Sequence, residues 1–201
     1  MFRPKKTHLI WLAVILAGWY STRSKTVQWD EEVPLNTGET IWVTRTVTYN
    51  LKGAGGNPFD IDYYPDKTQN IRFTWNGKSY FYEGYADLIL LAISPNRQPV
   101  LIAPAANYTW DWNNDYRCAS PHYVQFVPDE SGRKWSWPPE IEPWLYGLPT
   151  NLMGHLGRAK EMQARYTAQQ RSKEDATVLM QTPSRAKIEP KFADIDCKKE
   201  G

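Results

Sequence analysis

Residues 39–51 read Glu-Thr-Ile-Trp-Val-Thr-Arg-Thr-Val-Thr-Tyr-Asn-Leu, and this stretch decides the fold class. Its side chains alternate with a period of two, which is typical of a β-strand with one buried face. One mostly apolar face carries Ile41, Val43, Arg45, Val47 and Tyr49, and the other carries Thr40, Trp42, Thr44, Thr46 and Thr48. Residues 27–35 form a shorter strand candidate, and the turn sequence at residues 35–38 predicts that the two strands pair as a hairpin.

A second hairpin is predicted around Asn76-Gly77, which separates the strand candidates 71–75 and 78–82. Asn-Gly tolerates positive φ at both central positions of a type I′ turn, so this dipeptide is a strong hairpin signal. Three more apolar runs of strand length follow, at residues 85–93, 100–103 and 123–127. The run Leu88–Leu91 also fits a short helix, because a continuous apolar run does not reveal its period.

These patterns predict a mainly β protein, with an antiparallel β-sheet or sandwich domain over residues 27–150. Residues 53–58 are predicted to be a flexible connection between strands. The acidic residues Asp60, Asp62 and Asp66 could suggest a calcium site, but the Gly and Glu of a calcium-binding loop are absent, so we predict that they lie in a solvated loop. Residues 128–149 contain too much Pro and Trp for regular structure. We expect them to cover the sheet as an ordered loop whose indoles fill the edges of the core.

The periodicity changes after the β-domain, where residues 151–182 predict an amphipathic helix. Its stripe has helical spacing and consists of Leu152, Leu156, Ala159, Met162 or Gln163, and Tyr166. One hypothesis is that Leu152, Leu156 and Tyr166 dock a membrane complex. Residues 183–201 are charged and poor in large apolar side chains, so they predict a disordered tail.

Composition excludes several classes of protein. The 201 residues carry 24 basic and 22 acidic side chains, and the resulting net charge of +2 provides no long-range field for attracting a nucleic acid or an anionic membrane. The sequence contains no Gly-x-Ser-x-Gly, phosphate-binding Gly-rich loop or His-Glu-x-x-His motif, so most familiar enzyme classes are unsupported. No cofactor and no metal site are predicted. The unusual feature is the aromatic content, with 10 Trp and 12 Tyr.

The N-terminal residues 1–26 have the pattern of an export signal. Basic residues at positions 3, 5 and 6 precede the uncharged run 9–20, which is short for a bilayer crossing. Two interpretations stay open: an uncut anchor, favoured by Trp19 and Tyr20 at the membrane interface, or cleavage at Thr22-Arg23-Ser24. In both, the body of the protein faces the outside of the cytoplasmic membrane, in the periplasm.

Residues 28–39, Gln-Trp-Asp-Glu-Glu-Val-Pro-Leu-Asn-Thr-Gly-Glu, follow this signal directly. The arrangement resembles the opening of small, uncharacterised bacterial exported or lipoprotein-like proteins. The resemblance covers the first quarter of the chain and implies a location in the cell envelope. The triplet Leu16-Ala17-Gly18 also resembles the start of a lipoprotein signal, but Trp19 stands where the lipidated Cys would be, which excludes a lipid anchor.

Aromatic and polar side chains alternate in residues 107–116, and this composition suits glycan binding. A sugar ring stacks on an aromatic plane while its hydroxyl groups bind amide and carboxylate groups. The candidate ligand-binding residues are Trp110, Asp111, Trp112, Asp115, Tyr116, Trp135 and Trp137. The alternative is that Trp110 and Trp112 fill the edge of the sheet and the polar residues make local turns.

Carboxylates in the same regions raise a second functional hypothesis, a hydrolase of cell-wall carbohydrate. Such an enzyme uses a pair of acids at a set separation, and the candidates are Asp111, Asp115, Glu140 and Glu142. Cys118 and Cys197 would form a disulfide in an oxidising compartment, or remain apart. The sequence favours a non-enzymatic envelope protein that binds a partner protein or a glycan. The alternatives are the hydrolase and an accessory subunit docked through its C-terminal helix.

Overall fold

The computed structural model describes residues 23–54, 57–104, 123–138, 140–153, 156–173 and 186–189, and within these ranges the chain forms two β-sheets. The first sheet has the strand order β4-β3-β2-β1-β9, and the second has the order β5-β6-β7-β8. The strands are β1 (Ser24–Pro34), β2 (Thr40–Ala54), β3 (Asn57–Trp75), β4 (Lys78–Gly84), β5 (Leu90–Ile93), β6 (Pro99–Pro104), β7 (Tyr123–Pro128), β8 (Trp135–Ser136) and β9 (Arg165–Tyr166). The prediction of a mainly β protein is confirmed.

Both predicted hairpins are present. β1 pairs with β2 in antiparallel register from Ser24 opposite Asn50 to Pro34 opposite Thr40. β3 pairs with β4 around the predicted turn, where Asn76 has a φ of 48° and Gly77 a φ of 75°, as a type I′ turn requires. The alternative of a helix within residues 88–91 is wrong, since Leu90–Ile93 pairs with β6 as a strand.

β2 and β3 are longer than the sequence predicts. β1 begins opposite Asn50 and β4 ends opposite Gln69, so β2 and β3 continue past both neighbours as a two-stranded ribbon. We call residues 51–54 and 57–63 of this ribbon the arm. The predicted loop around Asp62 is therefore wrong, because Asp62 lies in β3 opposite Lys52. The backbone pairing with β2 overrides the low strand propensity of Asp in this segment.

The two sheets pack face to face and share one core. From the first sheet, Val33, Val43, Ile71 and Phe73 point into it, and the second sheet contributes its own alternating set, Leu91, Ile93, Leu101, Ala103, Val124 and Phe126. Phe73 stacks on Tyr80, with ring centroids 5.1 Å apart. The period-two pattern thus reports the buried face of β2 correctly, and the architecture is a β-sandwich.

The second sheet is buried on its other face as well. A short 3-10 helix, Pro143–Leu145, and the residues around it place Ile141 and Leu145 against β5 and β6. Ile188 completes this cover and is fully buried, and its backbone N–H donates to the carbonyl of Leu148. The prediction of a disordered tail over residues 183–201 is therefore wrong for residues 186–189, since one buried side chain in a polar sequence is enough to hold the backbone there.

The free edge of β5 is closed by two asparagine side chains. Asn36 accepts a hydrogen bond from the N–H of Ile93 and donates to its carbonyl, at 2.7 and 2.9 Å. Asn151 makes the same pair of bonds to Leu91, at 2.8 and 2.7 Å, and also donates to the carbonyl of Pro34 in β1. The amides replace a further strand, so the edge offers no template for pairing with another chain.

Residues 151–153 and 156–167 cross the first sheet without forming a helix, and we call them the strap. The predicted amphipathic helix is wrong for residues 156–167, which instead include β9, paired in parallel with β1. Within the described part of this segment, helix occupies residues 168–173, after a Thr167–Gln170 capping box. The apolar stripe nevertheless faces the core, because Met153, Ala159 and Tyr166 pack on β1 and β2. Residues 174–182 lie outside the described residues.

A buried ion pair lies where the strap meets the sheet. Arg45 donates to Glu31 at 3.0 Å and to Gln69 at 2.6 Å, and all three side chains are buried. The second carboxylate oxygen of Glu31 accepts a hydrogen bond from the N–H of Met153 at 3.1 Å. Because desolvated charges are costly without partners, this network fixes Met153 against the sheet.

Asp62 ties the strap to the arm. Its carboxylate lies 2.6 Å from the ammonium of Lys160 and 3.4 Å from the guanidinium of Arg158. The hydrogen bond from Lys160, followed by one from the N–H of Tyr63, holds the pKa of Asp62 below its usual value of 3.8. The carboxylate therefore stabilises the folded state when it is ionised.

Replacing Asn151 tests the closure of the β5 edge. We expect Asn151→Ala to lower the free energy of unfolding by about 3 kcal/mol, because the backbone N–H and carbonyl of Leu91 lose their partners in a buried place. Asn36→Ala is the matched control. Asn36 is exposed, so water replaces its amide and the loss should stay below about 1 kcal/mol. Urea unfolding followed by tryptophan fluorescence measures both, and equal losses would contradict the role of burial.

The lowered pKa of Asp62 predicts a pH-dependent contribution to stability. A carboxylate whose pKa is depressed by folding stabilises the protein above its unfolded pKa, and the contribution disappears as the pH falls through the folded value. We therefore expect Asp62→Asn to be less stable than the wild type at pH 6, and the difference to shrink below pH 3.8. Urea unfolding across this range measures it. A Lys160→Gln background should reduce the difference at every pH, and a pH-independent difference would refute the prediction.

Candidate binding face

The solvent-facing side of the first sheet, which we call the outer face, carries a row of side chains that crosses all five strands. Successive cross-strand partners are Arg165, Asp30, Thr44, Arg72 and Phe81, on β9, β1, β2, β3 and β4. Neighbouring strands lie about 4.8 Å apart, so this row is about 19 Å long. The outer face is therefore broad and continuous across the sheet.

Neighbouring members of the row are fixed by contacts with each other. The hydroxyl of Thr44 donates to the carboxylate of Asp30 at 2.8 Å. The guanidinium of Arg72 lies 5.5 Å from the ring centroid of Phe81, which is a cation–π contact. These contacts orient the polar groups and leave them accessible to solvent, since none of the four side chains is buried.

Trp42 stands beside this row, two residues before Thr44 on the same face of β2. Its side chain is 40% exposed, and the guanidinium of Arg165 lies 3.9 Å from the centroid of the indole. The register of β1 against β9 places Arg165 opposite Asp30, so the parallel pairing of β9 brings the guanidinium to the indole. Arg165 thus covers one face of the indole and fixes its orientation, and Trp42 stays partly exposed beside it.

A flat aromatic plane next to fixed hydrogen-bonding groups can bind a ring that has one apolar and several polar edges. The carboxylate of Asp30 accepts hydrogen bonds, the guanidinium of Arg72 donates them, and the hydroxyl of Thr44 does both. Stacking on Trp42 would add the aromatic contribution that binding sites use most. The outer face thus combines an aromatic ring with hydrogen-bonding groups, as the sequence analysis predicted for the aromatic-rich loops.

Most of the sequence-predicted site cannot be placed. Trp110, Asp111, Trp112, Asp115 and Tyr116 lie outside the described residues, as do Cys118 and Cys197. The glycan-binding hypothesis for residues 107–116 and the disulfide therefore remain predictions.

The two predicted tryptophans that are described differ in their surroundings. The indole N–H of Trp135 donates to the carbonyl of Phe81 at 2.8 Å, and its ring lies edge-on to Tyr82, with centroids 5.8 Å apart. Trp135 thus packs against the core between the sheets and secures the edge of β4. Trp137 is 46% exposed. Of this pair, only Trp137 presents a large part of its indole to solvent.

The predicted catalytic carboxylates and docking residues have other roles where they are described. Glu140 and Glu142 are both exposed, and Glu142 accepts a hydrogen bond from the indole N–H of Trp144. Leu152 and Tyr166 are buried within the protein and Leu156 is half-buried. These apolar side chains stabilise the strap and present no large exposed face for docking.

The described ranges contain no metal-binding cluster and no membrane-spanning helix. Within them, no three His, Cys, Asp or Glu side chains come together in a group that could hold a metal ion. In the same part of the chain, no helix has both the length and the apolar character of a membrane span. Of the predicted signal segment, residues 1–26, the first 22 residues lie outside the described part of the chain.

Sequence reasoning missed the residues of the outer face, although signals for three of them were available. Alternation in β2 places Trp42 among threonines on its polar face, and a large aromatic side chain in that position predicts an exposed plane. Arg72 and Phe81 could have been paired from the Asn-Gly turn, which fixes the register of β3 and β4. Arg165 left no such signal, because its position depends on the pairing of distant strands.

Comparisons with known proteins add no relatives. No known protein family matches the sequence, and no curated protein and no solved structure is significantly similar to it. The resemblance to exported envelope proteins consequently stays a prediction.

Proposed function

We propose that this protein is a non-enzymatic component of the bacterial cell envelope that binds a glycan on the outer face of its five-stranded sheet. The observation that carries the proposal is the exposed indole of Trp42, held by Arg165 beside the hydrogen-bonding pair Asp30 and Thr44. The envelope location rests on the export pattern of residues 1–26.

The polar character of the outer face favours a glycan over a partner protein. Protein interfaces are depleted of charged side chains at their centre, whereas charged groups from three strands surround Trp42. These are Arg165, Asp30, Glu32 and Arg72. Hydroxyl-rich ligands use such groups as hydrogen-bond partners without burying a large apolar area.

The described residues offer no support for the hydrolase. A glycosidase needs one carboxyl group kept protonated by a desolvated setting, beside a second carboxylate. Glu140 and Glu142 are exposed to solvent, and Asp111 and Asp115 lie outside the described residues. A binding role requires only the aromatic plane and its polar neighbours.

A pair of tryptophan variants tests the proposal. The full chain is incubated with purified peptidoglycan sacculi, and the retained fraction is measured after sedimentation. We expect Trp42→Ala to weaken retention by about tenfold, because the stacking surface is lost. Trp137→Ala is the matched control, since this indole is similarly exposed but lies outside the outer face.

The outcomes are distinct. Loss of retention in Trp137→Ala alone would move the site to the loop after β8, as the sequence predicted. Retention that is unchanged in Trp42→Ala, or absent in the wild type, would refute glycan binding at the outer face. Unfolding midpoints of both variants confirm that they are folded.

Fractionation of cells that express the full chain tests the location. We expect the protein in the membrane fraction, with its N-terminus intact, because the run 9–20 is bordered by interfacial aromatic residues. Sequencing of the mature N-terminus distinguishes this result from cleavage. A mature chain beginning at Lys25 would exclude the anchor, and an intact chain in the cytosol would refute the envelope location.

A further inference from the structure

The arm exposes two aliphatic side chains at one end of the sandwich. Leu51 is 43% exposed and Ile61 is 60% exposed, and they lie on β2 and β3 beyond the first residue of β1 and the last residue of β4. These two side chains do not contribute to the core of this domain, and they form an apolar tip on the projecting ribbon.

Basic residues surround this apolar tip. The stretches 23–25, 51–52, 61–63 and 158–161 meet at the arm, since Lys52 pairs with Asp62 and Asp62 binds Lys160 and Arg158. They contain five basic residues, Arg23, Lys25, Lys52, Arg158 and Lys160, and two acidic residues, Asp62 and Glu161, and the arm adds a third acidic residue, Asp60. These few residues thus carry the same net charge, +2, as the whole chain of 201 residues.

The N-terminal segment joins the body at the same place. The carbonyl of Arg23 accepts a hydrogen bond from the N–H of Leu51 at 2.8 Å. Tyr20, the last residue of the predicted membrane segment, is three residues from Arg23, and an extended chain spans at most about 11 Å over that distance. A membrane-inserted segment would thus keep Leu51 close to the bilayer surface.

We propose that the arm end of the sandwich rests on an anionic lipid surface, with Leu51 and Ile61 at the level of the headgroups and the ammonium groups of Lys25 and Lys52 on the lipid phosphates. The inference rests on the proposed envelope location. Charge complementarity selects the occupant, because each Lys or Arg near an anionic leaflet adds to its attraction. Tyr63 fits the same surface, since aromatic rings favour the interface and Lys25 lies 4.7 Å from its ring centroid.

Photocrosslinking of the full chain tests this orientation. Ile61 is replaced by p-benzoylphenylalanine, and the protein is reconstituted into vesicles that contain equal amounts of phosphatidylcholine and phosphatidylglycerol. The control carries the same residue at Thr74, which is exposed on the same strand but about 40 Å away along it. We expect at least about fivefold more lipid adduct at position 61 than at position 74.

Charge variants identify the lipid chemistry. Lys25→Gln and Lys52→Gln should each lower the adduct at position 61 by about fivefold in anionic vesicles. Lys134→Gln, on the exposed turn between β7 and β8, is the matched control and should leave the yield unchanged. Vesicles of phosphatidylcholine alone should give less adduct at position 61 than anionic vesicles.

Several results would overturn the inference. Equal adducts at positions 61 and 74, in a chain that floats with the vesicles, would refute the orientation while the anchor stands. If neither lysine replacement changes the adduct yield, binding to anionic lipid is refuted. Crosslinking of position 61 to a protein in native membranes would show that the arm contacts a partner protein instead. A chain that does not float with the vesicles would refute the proposed anchor itself.

Discussion

The side-chain amide of Asn151 is the constraint on which the two sheets depend. It bonds the N–H and carbonyl of Leu91 in the second sheet and the carbonyl of Pro34 in the first, so it fixes the two layers against each other. The same residue starts the strap, whose backbone N–H groups at positions 151 and 152 bind the carbonyl of Ile89. These bonds fix the start of the strap beside Ile89, before it crosses the first sheet.

The buried pair of Glu31 and Arg45 separates the two halves of the inner face. On one side, Val33, Val43 and Ile71 meet the second sheet, and on the other, Trp29, Val47 and Tyr49 meet the strap. Burial of two charges favours a unique arrangement more than it favours stability, because every misplaced partner leaves a charge unpaired. Burial and the nearby Tyr166 raise the pKa of Tyr49 to about 12, so this side chain remains neutral at physiological pH.

The two proposed binding sites lie near opposite ends of β2. Trp42 lies near the start of β2 and Leu51 near its end, about 30 Å away. If the arm contacts the lipid surface, Trp42 lies at the other end of β2, away from the bilayer, where envelope glycans are accessible. The pairing of β2 with β3, which has a register shift between Val47 and Tyr49, would then connect the two sites.

The sequence by itself determined the local elements. Alternation in residues 39–51 specified a strand and its buried face, and Asn76-Gly77 specified a turn, because both signals act between neighbouring residues. It misjudged the strap, since Leu152, Leu156 and Tyr166 have helical spacing but are held by contacts with β1 and β2. Only the tertiary structure decided that β3 extends through the Asp-rich segment, that Ile188 belongs to the core and that Arg165 reaches Trp42. Arg165 and Ile188 depend on partners tens of residues away, and the Asp-rich part of β3 depends on its pairing with β2 and on the ion pair from Lys160. No periodicity within a short window records such partners.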